Sequence, residues 1–299
     1  MPSLTQPWAT LIAGVAVLIS AAIAASVAAY SRAQTEKHFQ ASHSLEVLGA
    51  LRDRYTTSAG QLAHESAAIR LAGVYALAAL ADDWAQNGKV NERQVCIDLL
   101  RAYLRTAQSG LASRATATGK ETGLTFEAGE MEVRKTIVLT INGRRLLEAS
   151  DPLSWASCDC SLARADLRGL DLARQDFKGV SLPGANLAST KFSHSDLTNA
   201  DLSSADLSRA FLFSTKLIHA DLTFARMDNA TLTGADLTFA DMDFTSLSHA
   251  ILSGANLAAV DLSGVDVSGV KYSPTTVWPK DYIHPPCPST TTETVGPDS

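Results

Sequence analysis

Apolar residues between positions 160 and 270 recur at every fifth residue. From Leu162 to Val267, steps of five give 22 positions, and each is Leu, Phe, Met or Val. A helix repeats near 3.6 residues and a strand near 2, so neither accounts for this spacing. Two residues before each centre stands Ala in 12 of the 22 cases, and directly before it Asp or Asn in 13 of the 22. The remaining two positions are mostly Ser, Thr, Gly, Arg or Ala. Each quintet thus offers one large and one small apolar side chain to a single interior. It must then turn the backbone before the next quintet does the same. A solenoid with short flat sides meets this requirement, because each coil buries its inner face only against its neighbours.

Upstream, the apolar spacing changes to that of helices. In residues 63–85, Ile69, Leu71, Val74, Leu77, Leu80 and Trp84 fall on one broad face, with Ser66 placed to cap the helix and Asn87–Gly88 to end it. A second helix, "NERQVCIDLLRAYLRTA", is expected to bury Val95, Leu99, Leu100, Tyr103 and Leu104. A third, "EMEVRKTIVLTINGRRLLEAS", runs to about residue 148 and is weakened at Asn142–Gly143. Between them, residues 108–128 are rich in Ser, Thr, Gly and Ala and predict a flexible loop. Charges of both signs are mixed through this region, which predicts a solvated helical layer suited to binding a partner or capping a neighbour.

At the N-terminal end no charged residue occurs from Met1 to Ser31, and Trp8–Tyr30 is a continuous apolar run. At about 1.5 Å per residue it reaches about 34 Å, enough for a hydrocarbon core of about 30 Å. Trp8 and Tyr30 stand where interfacial aromatics belong. A cleaved signal peptide is the rival reading, but no basic residue precedes the run. Arg32, Lys37, Arg52 and Arg54 follow it, so the positive-inside rule predicts a single-pass inner-membrane protein with its N-terminus outside and its bulk in the cytoplasm.

Composition narrows the partners. The net charge of −6 excludes a broadly basic nucleic-acid binder. The four cysteines, Cys96, Cys158, Cys160 and Cys287, are too few and scattered for a disulfide scaffold. Cys158 and Cys160 form a CxC with no second Cys/His pair nearby, which is weak ground for a metal site. P-loop, GxSxG, HExxH and GxGxxG motifs are absent. No enzyme activity and no cofactor are expected.

The unbroken A-(D/N)-L-x-x pattern resembles that of the pentapeptide-repeat proteins. The resemblance implies a right-handed quadrilateral β-helix with four quintets per coil, so that 22 quintets make roughly 5.5 coils and about 26 Å of length. The stretch "VKYSPTTVWPKDY" is similar to the family's common ending and extends the register to Tyr272 and Val277. Upstream, "RLAGVYALAALADDW" and "VCIDLLRAYLR" resemble a helical, HEAT-like region that precedes such repeats in bacterial membrane proteins. The expected fold is therefore an N-terminal transmembrane helix (residues 1–31), a small all-α region (32–150), a β-solenoid of about 22 pentapeptide repeats with its cap (151–279) and a disordered tail (280–299).

Four quintets per coil stack each residue on its counterpart four quintets later. Asp201, Asp221, Asp241 and Asp261 then form an acidic ladder, whereas the matching rows on other sides are broken by Arg226, Lys191, Phe211 or Lys216. The plain role for such Asp residues is to hydrogen-bond turn backbone. Phe224 lies above Phe244, with Phe239 on the adjoining corner. These rings either form a contact patch or merely cover coil edges. His194, His219 and His249 fall on different sides and cannot cluster.

The functional expectation is a membrane-anchored, non-enzymatic scaffold, tethered through residues 8–30. It would bind an unidentified protein partner, with a homodimer as a further option and no direct nucleic-acid binding. The alternative is the DNA mimicry by which some pentapeptide-repeat proteins inhibit or protect a type II topoisomerase. Residues 160–274 hold 13 acidic and 9 basic residues, a thin negative excess for that role.

Overall fold

The computed structural model describes residues 6–106 and 127–283, with side chains from residue 25 onward. Two units divide between Arg54 and Tyr55. Among the described residues the chain forms α1 (Gln6–Leu62), α2 (Ala67–Gln86), α3 (Val90–Arg105) and α4 (Ala128–Arg145), followed by the repeats. The expected flexible loop lies almost wholly outside the described residues, as does the tail beyond residue 283.

The transmembrane helix expected over residues 8–30, and with it the single-pass inner-membrane placement, is corrected by the structure. Among the described residues no helix is long and apolar enough to cross a membrane. The helix does not stop at Tyr30 but runs on through Arg32, Glu36, Lys37 and His38. From residue 25 these polar groups alternate with Ala, Val27, Tyr30 and Phe39, so no long apolar run is left. Residues 8–24 of the expected span lie outside the described side chains.

In the second unit, α2 buries Val74, Leu77, Leu80 and Trp84, α3 buries Cys96, Ile97, Leu100 and Leu104, and α4 buries Val133, Ile137, Val138 and Ile141. Val95 and Ile69, assigned to the core from spacing, are instead 49% and 38% exposed. Ser66 occupies the N-cap of α2 with extended backbone, but its side chain makes no capping bond. Helix α4 passes through Asn142–Gly143 without a break.

Helix α2 crosses the end of α1 at Gly73. A Cβ there would lie 2.7 Å from the Leu62 amide nitrogen and 3.0 Å from the Ser58 carbonyl oxygen, both backbone atoms. We therefore expect Gly73→Ala to destabilise the fold by about 1–3 kcal/mol. Gly143→Ala, at a helical glycine with nothing within 4 Å, should stabilise by about 0.5–1 kcal/mol. Thermal denaturation of the two variants checks the contrast, and a neutral Gly73→Ala would refute the tight crossing.

The repeats wind as a parallel solenoid, with bridges such as Asp166↔Asn186, Asp176↔Asp196 and Asp201↔Asp221 at a constant step of four quintets. One coil therefore consists of four quintets. The first side carries centres Leu162, Leu182, Leu202, Leu222, Met242 and Leu262, and the other three sides follow at steps of five. The centres are buried throughout, apart from a half-buried Val267. Within a quintet the amide two residues before the next centre donates back to the present centre's carbonyl, as in Ala205 N to Leu202 O at 3.0 Å. This closes the corner and turns the small residue inward. Where that small residue is Thr or Ser, its hydroxyl donates to a carbonyl of the preceding coil, as Thr190 does to Leu167 and Thr215 to Phe192, both at 2.8 Å.

The register slips once. Ile251 pairs with Lys271 at the regular step, but Asn256 pairs with Val277, one position beyond it. Tyr272 is buried as the extended pattern predicts, but Thr276 takes the next inward position and Val277 is 48% exposed.

The helical layer closes the solenoid's first edge. In later coils the carbonyls of Ser181, Asn186, Asp196 and Thr198 accept amides from the coil before. Their first-coil counterparts have no coil before them. Ser161, Asp166, Asp176 and Lys178 instead accept from Arg101 Nε (2.6 Å), Arg134 Nη1 (2.9 Å), Asn142 Nδ2 (2.6 Å) and Arg145 Nη2 (2.9 Å). The Asp166 amide donates to Leu104 O at 2.8 Å. Many charges read as solvated are thus buried: Arg70, Arg93, Arg101, Glu130 and Arg134. The four arginines donate to backbone carbonyls that would otherwise lose water without replacement, and the Glu130 carboxylate accepts from Arg70, Tyr103 and Arg134.

Candidate interaction face

The ladder and the aromatic patch noted in the sequence belong to the same side of the solenoid. Asp201, Asp221 and Asp241 are joined in parallel bridges along the first side, and Asp261 follows in sequence register without a bridge to Asp241. Corner residues bound this side. Phe224 and Phe244 lie on the corner after it, stacked with centroids 5.0 Å apart and planes inclined by 7°. On the corner before it, Phe239 stacks on His219 at 5.0 Å and 7°. Phe224, Phe239 and Phe244 are 59%, 56% and 65% exposed, respectively.

The coil step also adds two residues to this side: His219, weighed from the sequence only for clustering with the other histidines, and Asp243, not considered there. His219 precedes Phe239 by one coil, and Asp243 lies on the first side beside Asp241. Applying the four-quintet step to the histidines would have revealed the first of these. Two further exposed rings, Phe211 and Phe213, lie on the third side, with His194 edge-on to Phe213 at 5.1 Å. His194, His219 and His249 stand on three different corners, as their spacing implied.

Corner residues adopt left-handed backbone. Phe224, Phe239 and Phe244 have φ of 58°, 60° and 57°, where Asn199, Asn229 and several glycines sit elsewhere in the solenoid. A bulky side chain is unfavourable there. Phe at these corners also leaves apolar surface in water, so the residue choice gains little for the isolated fold.

The Asp residues do serve turns. Oδ1 of Asp201 accepts from Ser203 N (3.1 Å) and Ser203 Oγ (2.7 Å), and Oδ1 of Asp221 from Thr223 N (2.9 Å) and Oγ1 (2.7 Å). Asp241 accepts from Asp243 N at 3.3 Å. Bonds from the amide and hydroxyl of Ser263 hold the Asp261 carboxyl below its ordinary range. What separates this side from the others is ion pairing. Asp171 meets Lys191, Asp196 meets Lys178 and Lys216, and Asp206 meets Arg226, all within 4.0 Å. Among the described residues, no such pair involves Asp201, Asp221, Asp241, Asp243 or Asp261.

The CxC offers little to a metal. Burial pushes the Cys160 thiol up to about 11, and its Sγ packs 3.6 Å from the Trp155 carbonyl. Among the described residues no group of three His, Cys, Asp or Glu side chains could hold a metal ion.

Comparison with known proteins bears on the repeats alone. The family model described as pentapeptide repeats matches with 8 copies over segments between residues 159 and 271. No curated protein matches the chain. Among solved structures, a pentapeptide repeat protein from Nostoc PCC 7120 is 31% identical over 29% of this chain and 77% of its own, with a TM-score of 0.26. One from the Arabidopsis thaliana thylakoid lumen is 30% identical over 37% of this chain and 70% of its own, with a TM-score of 0.17. QnrB1, a plasmid-mediated fluoroquinolone resistance protein, is 23% identical over 40% of this chain and 61% of its own, with a TM-score of 0.27.

Proposed function

Since the chain belongs to the pentapeptide-repeat family, we propose that it is a non-enzymatic interaction protein whose solenoid presents its first side to a protein partner. One observation carries this reading. Two exposed aromatic stacks frame a row of carboxylates that no neighbouring base neutralises. Exposed rings of this kind on a rigid surface are typical anchors of protein interfaces. The scaffold role needs no moving part, because the coils fix the spacing of these groups.

Duplex mimicry requires negative charge on more than one side. Here the other sides carry Lys191, Lys216 and Arg226 beside their own carboxylates, so the charge pattern favours a protein-binding side over a mimic of DNA.

The test replaces Phe224, Phe239 and Phe244 together by Asn in the full chain, followed by crosslinking in the native host and identification of co-purified proteins. Asn already occupies this corner at Asn199 and Asn229. Stability should stay within about 1 kcal/mol of the original, because relief of backbone strain offsets lost ring stacking. At least one crosslinked protein should be lost. An unchanged set of crosslinked proteins would refute the reading.

A further inference from the structure

We infer that the partner docks on the first side as an α-helix bearing a stripe of arginines, one per turn, laid along the solenoid axis. This rests on the proposed function of that side and specifies the chemistry of what it binds.

The exposed aromatic pairs supply the contact and the carboxylates supply the sign of the charge. Oδ1 of Asp201, Asp221 and Asp241 is engaged with its own turn, which leaves Oδ2 of each for a donor. On either flank stands an exposed stacked pair of rings, Phe224/Phe244 and His219/Phe239. A guanidinium suits both surfaces, since its N–H edge bonds carboxylate and its plane stacks on an aromatic ring. An ammonium shares the charge but lacks the plane.

Spacing selects the helix. Successive coils lie about 4.8 Å apart, so Asp201 to Asp241 spans about 10 Å. A helix advances about 5.4 Å per turn, so two turns cover about 11 Å, and flexible arginine stems absorb the difference. An extended strand presents side chains on one face about every 6.7 Å, which places its third residue about 4 Å out of register with the third carboxylate. The other sides lack this arrangement. Lys191, Lys216 and Arg226 interrupt their rows and would repel such a helix.

The probe is a labelled alanine-based peptide of about 20 residues, long enough to be helical alone, with arginine once per turn on one stripe. Its comparison peptides carry the same arginines spread around the helix, or lysine at the stripe positions. Binding to the full chain is followed by fluorescence anisotropy near physiological ionic strength, where weak long-range attraction is screened. The stripe peptide should bind at least about tenfold more tightly than the spread peptide and more tightly than the lysine peptide. Asp201→Asn/Asp221→Asn/Asp241→Asn should weaken it at least about tenfold, as should the triple Phe→Asn variant. The Asp→Asn changes preserve the turns, because Asn186 and Asn256 already accept the same amide bond, at 3.2 and 3.1 Å.

Equal binding of stripe and spread peptides, or no effect of the Asp→Asn changes, overturns the arginine helix. If native crosslinking still depends on the three Phe residues, the interaction reading survives that failure. Crosslinking indifferent to them removes the interaction reading itself.

Discussion

Leu222→Asp is expected to leave the solenoid unfolded. Leu222 is fully buried, its amide bonds Asp241 O at 2.7 Å, and its carbonyl accepts from Thr245 Oγ1 at 2.7 Å. Shortening such a leucine to alanine costs about 2–5 kcal/mol. A carboxylate in the same place adds an unpaired polar group with no route to water, so the total exceeds about 5 kcal/mol, comparable to the whole stability of many domains. The damage does not stay local. A coil is held only by the coils above and below it, so losing one removes support from both neighbours. Soluble yield and far-UV circular dichroism read the outcome. Val267→Asp is the control, because that centre is only half-buried and should cost less than half as much. Similar losses at both positions would contradict the assigned core.

The second large effect is expected at Arg134. Its side chain is fully buried. Nε donates to Glu130 at 2.7 Å, Nη1 to the carbonyls of Leu104 (3.0 Å) and Asp166 (2.9 Å), and Nη2 to that of Thr106 (2.7 Å). One guanidinium therefore ties the end of α3, helix α4 and the first coil together. Arg134→Met removes these donors and leaves Glu130 with less compensation, for an expected loss of about 3–5 kcal/mol. Arg134→Lys should recover little, since one ammonium cannot reach acceptors arranged around a planar fork. Adding Glu130→Leu to Arg134→Met should restore part of the stability by removing the stranded carboxylate. Urea unfolding measures all three. A loss below about 1 kcal/mol for Arg134→Met would show that water replaces the guanidinium at this edge.

The contrast between these two sites shows what the sequence made legible. Leu222 announces itself because its role repeats with every quintet, and an interior built from identical small units writes its period into the chain. The coil step then places Asp201, Asp221 and Asp241 on one side from spacing alone, once four quintets per coil are assumed. Arg134 gives no comparable signal. On a helix an arginine ordinarily marks the wet face, and its buried carbonyl partners here are remote in the chain, at Leu104, Thr106 and Asp166, which no local pattern encodes. The same blindness assigned Val95 to the core of α3, where the buried stripe is led by Arg93 and Cys96. Near the solenoid's end, one additional residue between Tyr272 and Thr276 moved Val277 outward, and single-residue slips leave no mark on an apolar count. At the N-terminus, length and composition predicted a membrane span over residues 8–30, whereas among the described residues no helix is long and apolar enough to cross a membrane.

The parallel pairing at a fixed step of four quintets has a consequence for how this chain can change length. Insertion or deletion of four whole quintets within the solenoid adds or removes one storey and leaves every later side chain above its former neighbours. A change of a single quintet preserves the core pattern equally well, yet rotates everything downstream by a quarter turn. Asp241 and Phe244 would then stand around the corner from Asp201 and Asp221. Genetic slippage in units of one repeat is therefore silent to folding but not to the surface, and selection on the face can operate while the interior stays unaltered.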